Sequence, residues 1–405
     1  MRNPLPGLSS VTGAAVCSAA TAAAVGVVTA RFLGPDGQGS LTLVTTIVAL
    51  MVVMLTLGTG ASLRLRSGGE PGSADVKAFF GLSVVLSPVA GVAVVVIVYL
   101  VQPGMLDLGA LVLAGVFGAV SLAGRQLCDL VQAYGRTASS IISIAVGSLV
   151  QAGSFAILVA VGAESLAGAL GCAILGSLIQ IIYALFAIRA YQVPRSPNIR
   201  TVIWRSLVGV GVPTLGFSLG LLAMQRVDRL ILVGIAGTTA GGIYSVAATV
   251  AEAARITSSA IGQLLFVRAS ARRRITRDVT RLYYGGILLQ ILVLGVLAVA
   301  DPFIVRAFFG SAFELAISPL RGLLVAEFFM GIALMDSRML MGLGYLKEVG
   351  AITLGAVSVG IVLYVCLISQ YGTTGAVVAT MITYTGFSIT TFARRVHHAR
   401  KVINV

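Results

Sequence analysis

The chain has 405 residues, of which 58% are hydrophobic and only 10% charged, with a mean hydropathy of +1.01 and a formal net charge of +14. A soluble domain carries about a quarter charged residues, so this composition cannot furnish an aqueous surface and excludes a soluble globular protein. The basic excess does not call for nucleic acid: its charges are dispersed among short segments, where anionic membrane lipids are the ordinary partner.

A bilayer crossing needs about 20 apolar residues. Runs of that length lie at about 8–30, 40–60, 79–101, 108–132, 138–161, 165–188, 207–234, 241–264, 282–300, 315–340, 349–369 and 372–393. They are continuous rather than alternating, and each must satisfy its own backbone in hydrocarbon, so they predict about twelve transmembrane helices and an all-α integral membrane protein. The first run continues straight into a multi-span chain and reads as a retained span rather than a cleaved signal. With the N-terminus inside, the inner segments hold Arg2, Arg64, Arg66, Lys77, Arg125, Arg136, Arg189, Arg195, Arg200 and Arg205 in the first half. The second half adds Arg268, Arg272, Arg273, Arg274, Arg277, Arg281, Arg338, Lys347, Arg394, Arg395, Arg400 and Lys401. About 22 of the 28 basic residues thus fall on one side, while the outer connections offer little beyond Arg31 and Arg306. The positive-inside rule then predicts a multi-pass plasma (inner) membrane protein with cytoplasmic N- and C-termini. The densest patch, ARRRITR at 271–277, reads as a topology determinant and lipid contact.

The stretch 191–204, YQVPRSPNIRTVIW, has two prolines and two arginines and falls near the midpoint. It predicts a link between two six-span lobes, 1–196 and 197–405. LGPDGQGSL at 33–41 and AGTTAGGIY at 236–244 align Gly34 with Gly237 and Gly39 with Gly242, each between the first and second span of its half. Equal span numbers start both halves on the same side, which makes the repeat parallel.

The N-terminal stretch TARFLGPDGQGSLTLVTTIVAL and the later DRLILVGIAGTTAGGIYSVAATVAEAARI resemble the polysaccharide (lipid-linked oligosaccharide) flippase family, within the superfamily that holds the MATE drug exporters and lipid II flippases. Asp228, Arg229 and Gly242 to Ser245 carry the Asp-Arg and Gly-Ile-Tyr-Ser elements typical of that family. Span number, midpoint linker and terminal orientation also fit. The resemblance implies a MATE-like, V-shaped pair of six-helix lobes that moves a lipid-diphosphate-linked glycan from the cytoplasmic to the outer leaflet by alternating access. It also implies other polysaccharide-assembly membrane proteins as partners, and no cofactor.

Charges inside the spans point to function independently, since each costs about 2.5–3.5 kcal/mol at mid-membrane unless paired or hydrated. The seventh span carries Arg226, Asp228 and Arg229, in which the two arginines share a face and Asp228 points elsewhere. Counting from the turn near Gly237 puts Arg229 about 12 Å below that end, and Glu252 in the eighth span about 16 Å below it. Arg255 stands three residues after Glu252, and the tenth span adds Glu327 and, nearer the cytoplasm, Asp336. Arg226, Arg229 and Arg255 are therefore the expected substrate contacts, holding a diphosphate by charge-assisted hydrogen bonds. Asp228, Glu252 and Glu327 are expected as ion-coupling groups or fixed counter-ions. The bland alternative pairs Glu252 with Arg255 and Asp228 with Arg226 or Arg229, for assembly alone. Arg125 and Asp129 are secondary candidates that can pair on one helix face near the cytoplasmic end.

Cys17, Cys128, Cys172 and Cys366 fall inside apolar runs without metal-ligand or pairing spacing. His397 and His398 sit in a basic tail with no acid or Cys around them, so neither a metal site nor a catalytic histidine is expected. No Gly-Lys-Ser/Thr phosphate loop is encoded, and the loops are short for a membrane glycosyltransferase, so the chain does not read as an enzyme. Pro88 and Pro213 are placed to kink the third and seventh spans. A cation-coupled drug or metabolite exporter of the same fold is the main competing reading. It would place acids in the first lobe, whereas spans one to three contain none and the nearby Asp36 belongs to the outer hairpin. A lipid II type flippase would bring two further spans.

Overall fold

The computed structural model describes residues 6–67, 71–189, 204–272 and 275–403. Among them the regular elements are helices: α1 (Pro6–Leu55), α2 (Thr59–Ser67), α3 (Ser73–Val101), α4 (Leu108–Ala133), α5 (Thr137–Ala160), α6 (Leu166–Arg189), α7 (Trp204–Glu252), α8 (Arg255–Arg272), α9 (Arg277–Ile304), α10 (Ile317–Gly342) and α11 (Leu346–Ile403). A π-helical turn, Val305–Phe309, and a 3-10 segment, Ser311–Ala316, join α9 to α10. The lobe link expected at 191–204 lies outside the described residues apart from Trp204, and residues 273–274 of the basic patch lie outside them too.

Three helices are too long for one crossing. α1, α7 and α11 have 50, 49 and 58 residues, or about 75, 74 and 87 Å at 1.5 Å per residue, against a hydrocarbon core of about 30 Å. Each must therefore turn back, and each contains one residue off the helical backbone: Gly34 (φ 68°, ψ −178°), Gly237 (φ 87°, ψ 172°) and Gly372 (φ 55°, ψ −129°). Side chains are excluded from this conformation, so glycine is what allows two helices to meet without a loop. The Gly-rich outer loops expected at 33–41 and 236–244 are thus single-residue turns, with helix on both sides. Counted at these turns, the described helices make the twelve crossings that hydropathy predicts.

The second crossing of each half is interrupted. Between α1 and α2 the chain passes through Leu57 (φ 50°) and Gly58 (φ 66°). Between α7 and α8 only Ala253 and Ala254 intervene, and the amides of Ala253, Ala254 and Ile256 reach back three residues at 3.2, 3.2 and 3.3 Å rather than four. By contrast α3 continues through Pro88. The side chain of Pro213 is outside the described residues.

The chain forms two compact units, one of Met1–Leu33 with Ser40–Leu215, the other of Gly34–Gly39 with Gly216–Val405. In the first, α4 packs against α2, α3, α5 and α6. Glycine brings the α5 and α6 backbones together, since a Cβ on Gly147 would stand 2.7 Å from the Gly176 carbonyl oxygen. In the second, α10 packs against α8, α9 and α11 and is buried along most of its length. Met224, Ala326, Met330, Tyr384 and Phe387 form the core beside it. Large apolar side chains such as Val84, Leu292 and Val299 stay exposed, as expected of helix faces that meet lipid rather than water.

Candidate functional site

Charges from three helices of the second unit converge in one cluster. Arg226, Asp228 and Arg229 stand on α7 before its turn, Tyr244 and Glu252 on α7 after it, Arg255 at the start of α8 and Glu327 on α10. Glu252 is the centre. Its carboxylate pairs with Arg229, lies 3.7 Å from Arg226 and 3.8 Å from Arg255. Arg255 also grips Glu327 with two nitrogens, Nε at 3.0 Å and a terminal amino nitrogen. Gln290 on α9 donates to the Glu327 carbonyl oxygen at 2.8 Å. It fits there because Gly331 of α10 has no side chain to occupy the space.

Asp228 stands apart from the arginine side chains, as the seventh-span register requires. Its carboxylate accepts from the Tyr244 hydroxyl at 2.7 Å and from the Arg229 amide at 2.8 Å. Thr380, itself bonded to Tyr364, completes that cluster with Tyr244 at 3.1 Å. Of the two pairings in the assembly-only alternative, Glu252 with Arg255 is present, and Asp228 with the Arg226 or Arg229 side chain is replaced by a tyrosine bond.

The local geometry is costly in isolation. Glu252 ends α7 and Arg255 begins α8, which is the reverse of what helix dipoles favour at their carboxyl and amino ends. Burial then requires each charge to find a partner on another helix, because an unpaired buried ion costs several kcal/mol. Three guanidiniums and three carboxylates balance formally, so the network holds no excess charge. Exposure is uneven, however: the Arg226 side chain is 35% exposed and Glu252 20%, against 4% for Arg229. The buried Nε of Arg229 has no hydrogen-bond partner among the described residues. The network thus presents one accessible guanidinium and one unused donor beside a carboxylate that can be displaced.

The first unit carries the secondary candidates. Asp129 is buried on α4, 3.7 Å from both Arg125 and Arg64. The close approach of α2 behind it is possible because a side chain at Gly60 would run into the carboxylate. The structure brings Arg125 and Asp129 together as spacing predicts and adds Arg64, which sequence distance concealed. Toward the basic end of the second unit Asp336 pairs with Arg395 at 2.9 Å, and the guanidinium of Arg395 lies over the Tyr283 ring at 4.1 Å.

One expectation needs correction. His398 does have an acid beside it: its Nε2 is 3.0 Å from Glu348, and its ring stacks on Tyr345 at 3.7 Å. The turn at Gly372 folds α11 back on itself and brings residues 50 positions apart into contact, so the tail is docked on the start of α11. Cys128 is buried with its sulfur 3.2 Å from the Ser143 hydroxyl and 3.1 Å from Gln180.

The family model described as polysaccharide biosynthesis protein matches residues 7–266, which include the whole of α7 and the start of α8. The chain belongs to the polysaccharide biosynthesis protein family. Its fold is that of MATE transporters: a multidrug resistance MATE family transporter of the MOP superfamily, in an inward-facing conformation, matches with a TM-score of 0.74 at 15% identity over 96% of each chain. A MOP superfamily transporter from Pyrococcus furiosus, described as having a binding pocket of reverse polarity, matches with a TM-score of 0.60 at 14% identity, over 98% of this chain and 99% of that one. An uncharacterized membrane protein of Methanocaldococcus jannaschii is 30% identical over 158 residues, which span 39% of this chain and 38% of that relative. For this member of the polysaccharide biosynthesis family, the Arg226–Glu252–Arg255–Glu327 network falls on helices that hydropathy located and pairings that it could not. Glu327 lies 72 residues from Arg255, and only the charge at mid-span hinted at a partner.

Proposed function

We propose that this protein carries a lipid-diphosphate-linked oligosaccharide, a precursor of surface polysaccharide, from the cytoplasmic to the outer leaflet by alternating access, with both termini in the cytoplasm. The observation that carries this reading is the convergence of three guanidiniums on Glu252 with Arg226 left accessible. Inside the membrane a partly exposed guanidinium is tolerated facing water or a ligand, not hydrocarbon. Glu252 occupies the place a phosphate oxygen would take: a diphosphate entering beside Arg226 competes for the same donors, reaches the unused Nε of Arg229, and leaves Arg255 anchored by Glu327. Family membership supports a role in polysaccharide assembly, and the MATE fold supports a two-lobed transport cycle. Asp228, bonded to a hydroxyl and an amide rather than to a guanidinium side chain, is the acid best placed to take up a proton or cation during that cycle.

Binding of a polyprenyl diphosphate to the purified protein tests the cradle. Arg226→Gln is expected to weaken binding by about tenfold or more, the worth of one charge-assisted contact. Glu252→Gln removes the competing carboxylate and is expected to tighten it. Folded variants that both bind as the unaltered protein does would sink the cradle. Export of a cationic dye without any effect on surface glycan would replace it with drug export.

A further inference from the structure

At the cytoplasmic end of the second unit, α8 and α9 leave between them an open groove of about 900 Å³. Its mouth carries Arg268 near the end of α8 and Asp278 and Arg281 in the first turns of α9, while Ile261, Gly285 and Leu289 line the depth. From Asp278 to Leu289 the groove follows eleven residues of α9, about 16 Å, which is half of a hydrocarbon core of about 30 Å. It is therefore one leaflet deep.

Two features fix what fits there. First, the floor is open because Gly285 has no side chain: a Cβ at that position would meet nothing within 4 Å, whereas at the adjacent Gly286 it would stand 2.8 Å from Ile261. Second, Arg268 and Arg281 are both exposed, and neither has an ion-pair partner among the described residues. Asp278, in the first turn of α9, complements the amino end of its own helix and leaves the mouth net positive. An apolar slot one leaflet deep beneath two unpaired guanidiniums matches an acyl chain below a phosphate. A zwitterionic headgroup would bring its own cation against those arginines, so the complement is a lipid with net negative charge.

We propose that this groove is a binding site for an anionic glycerophospholipid of the cytoplasmic leaflet, its phosphate on Arg268 and Arg281 and one acyl chain along Gly285 and Leu289. The site is separate from the Glu252 network and does not depend on which cargo that network takes.

Native mass spectrometry of the full-length protein, with phosphatidylglycerol and phosphatidylcholine of identical chains supplied in equal amounts, tests it. The unaltered protein is expected to retain one phosphatidylglycerol in preference. R268Q/R281Q is expected to lower the ratio of the two lipids by about 25-fold, about fivefold for each charge. Gly285→Leu fills the open floor without meeting a neighbour and is expected to cut retention of both. R189Q/R394Q, which removes two arginines from other helices, is expected to leave the ratio unchanged. An unaltered ratio in R268Q/R281Q, an equal fall in R189Q/R394Q, or full retention in Gly285→Leu would each overturn the site. So would displacement of the phospholipid by an equimolar polyprenyl diphosphate, which would reassign the groove to the cargo.

Discussion

At mid-span of the second unit, the residues differ in what they can release. Glu252 shares three guanidiniums and can give them up one at a time, whereas Asp228 is held by a single strong donor, the Tyr244 hydroxyl at 2.7 Å, together with the Arg229 amide. Removing that hydroxyl leaves a buried carboxylate one bond short. Tyr244→Phe is thus expected to cost about 1–3 kcal/mol, lowering the unfolding temperature in detergent by several degrees. Tyr364→Phe, which loses bonds to neutral threonine hydroxyls rather than to a carboxylate, is expected to cost less. Equal effects would show that ring packing rather than the carboxylate sets the cost. Spacing alone supplied half of this site: Arg226 and Arg229 on one face, Asp228 off it, Glu252 with Arg255, and Arg125 with Asp129 all follow from helical periodicity. What periodicity cannot supply is a partner on another helix, and so Tyr244 for Asp228, Glu327 for Arg255, Arg64 for Asp129 and Glu348 for His398 were hidden.

Among the elements, the turns and breaks decide where charges end up. Gly34 and Gly237 were legible as a repeated motif and share one backbone conformation; Gly372, in the polar SQYGTTG at 369–375, marks the boundary between the last two predicted spans but lies outside that repeat. The interruption at Ala253–Ala254 left no mark at all, because Ala, Glu and Arg are strong helix formers. Pairing to Glu327 and to α7, rather than local propensity, accompanies the break. Backbone conformation, not space, is the constraint at the turns: a Cβ on Gly237 would meet nothing within 4 Å, yet φ is +87°. Gly237→Ala is therefore expected to destabilise by about 1–3 kcal/mol. Gly295→Ala, helical in α9 and equally open, is expected to be neutral or to stabilise by up to about 1 kcal/mol. Thermal unfolding of the two variants side by side checks this, and a Gly237→Ala protein as stable as the parent would mean the turn relaxes away from that conformation.

Across the whole molecule, the charge asymmetry read from the sequence reappears at the helix ends. In the first unit Arg136 stands at the opposite helix ends from Asp107, which caps α4 by accepting from the Ala110 amide at 3.3 Å, and from Glu164. In the second unit one set of ends carries Arg268, Arg277, Arg281, Arg338, Lys347, Arg394 and Arg395, and the other the Arg306–Glu314 pair at 3.0 Å. The proposed orientation rests on the positive-inside rule, which assigns the basic ends to the cytoplasm. Glu164 and Lys347 are both exposed, one at each kind of end, so cysteines there report orientation directly once the four native cysteines are replaced. In intact cells a membrane-impermeant maleimide is expected to label Glu164→Cys, and to label Lys347→Cys only after permeabilisation. The opposite pattern would invert the protein. Arg268 and Arg281 would then open onto the outer leaflet, and the proposed cargo would meet the Glu252 network from the other side, so both functional readings depend on this one measurement.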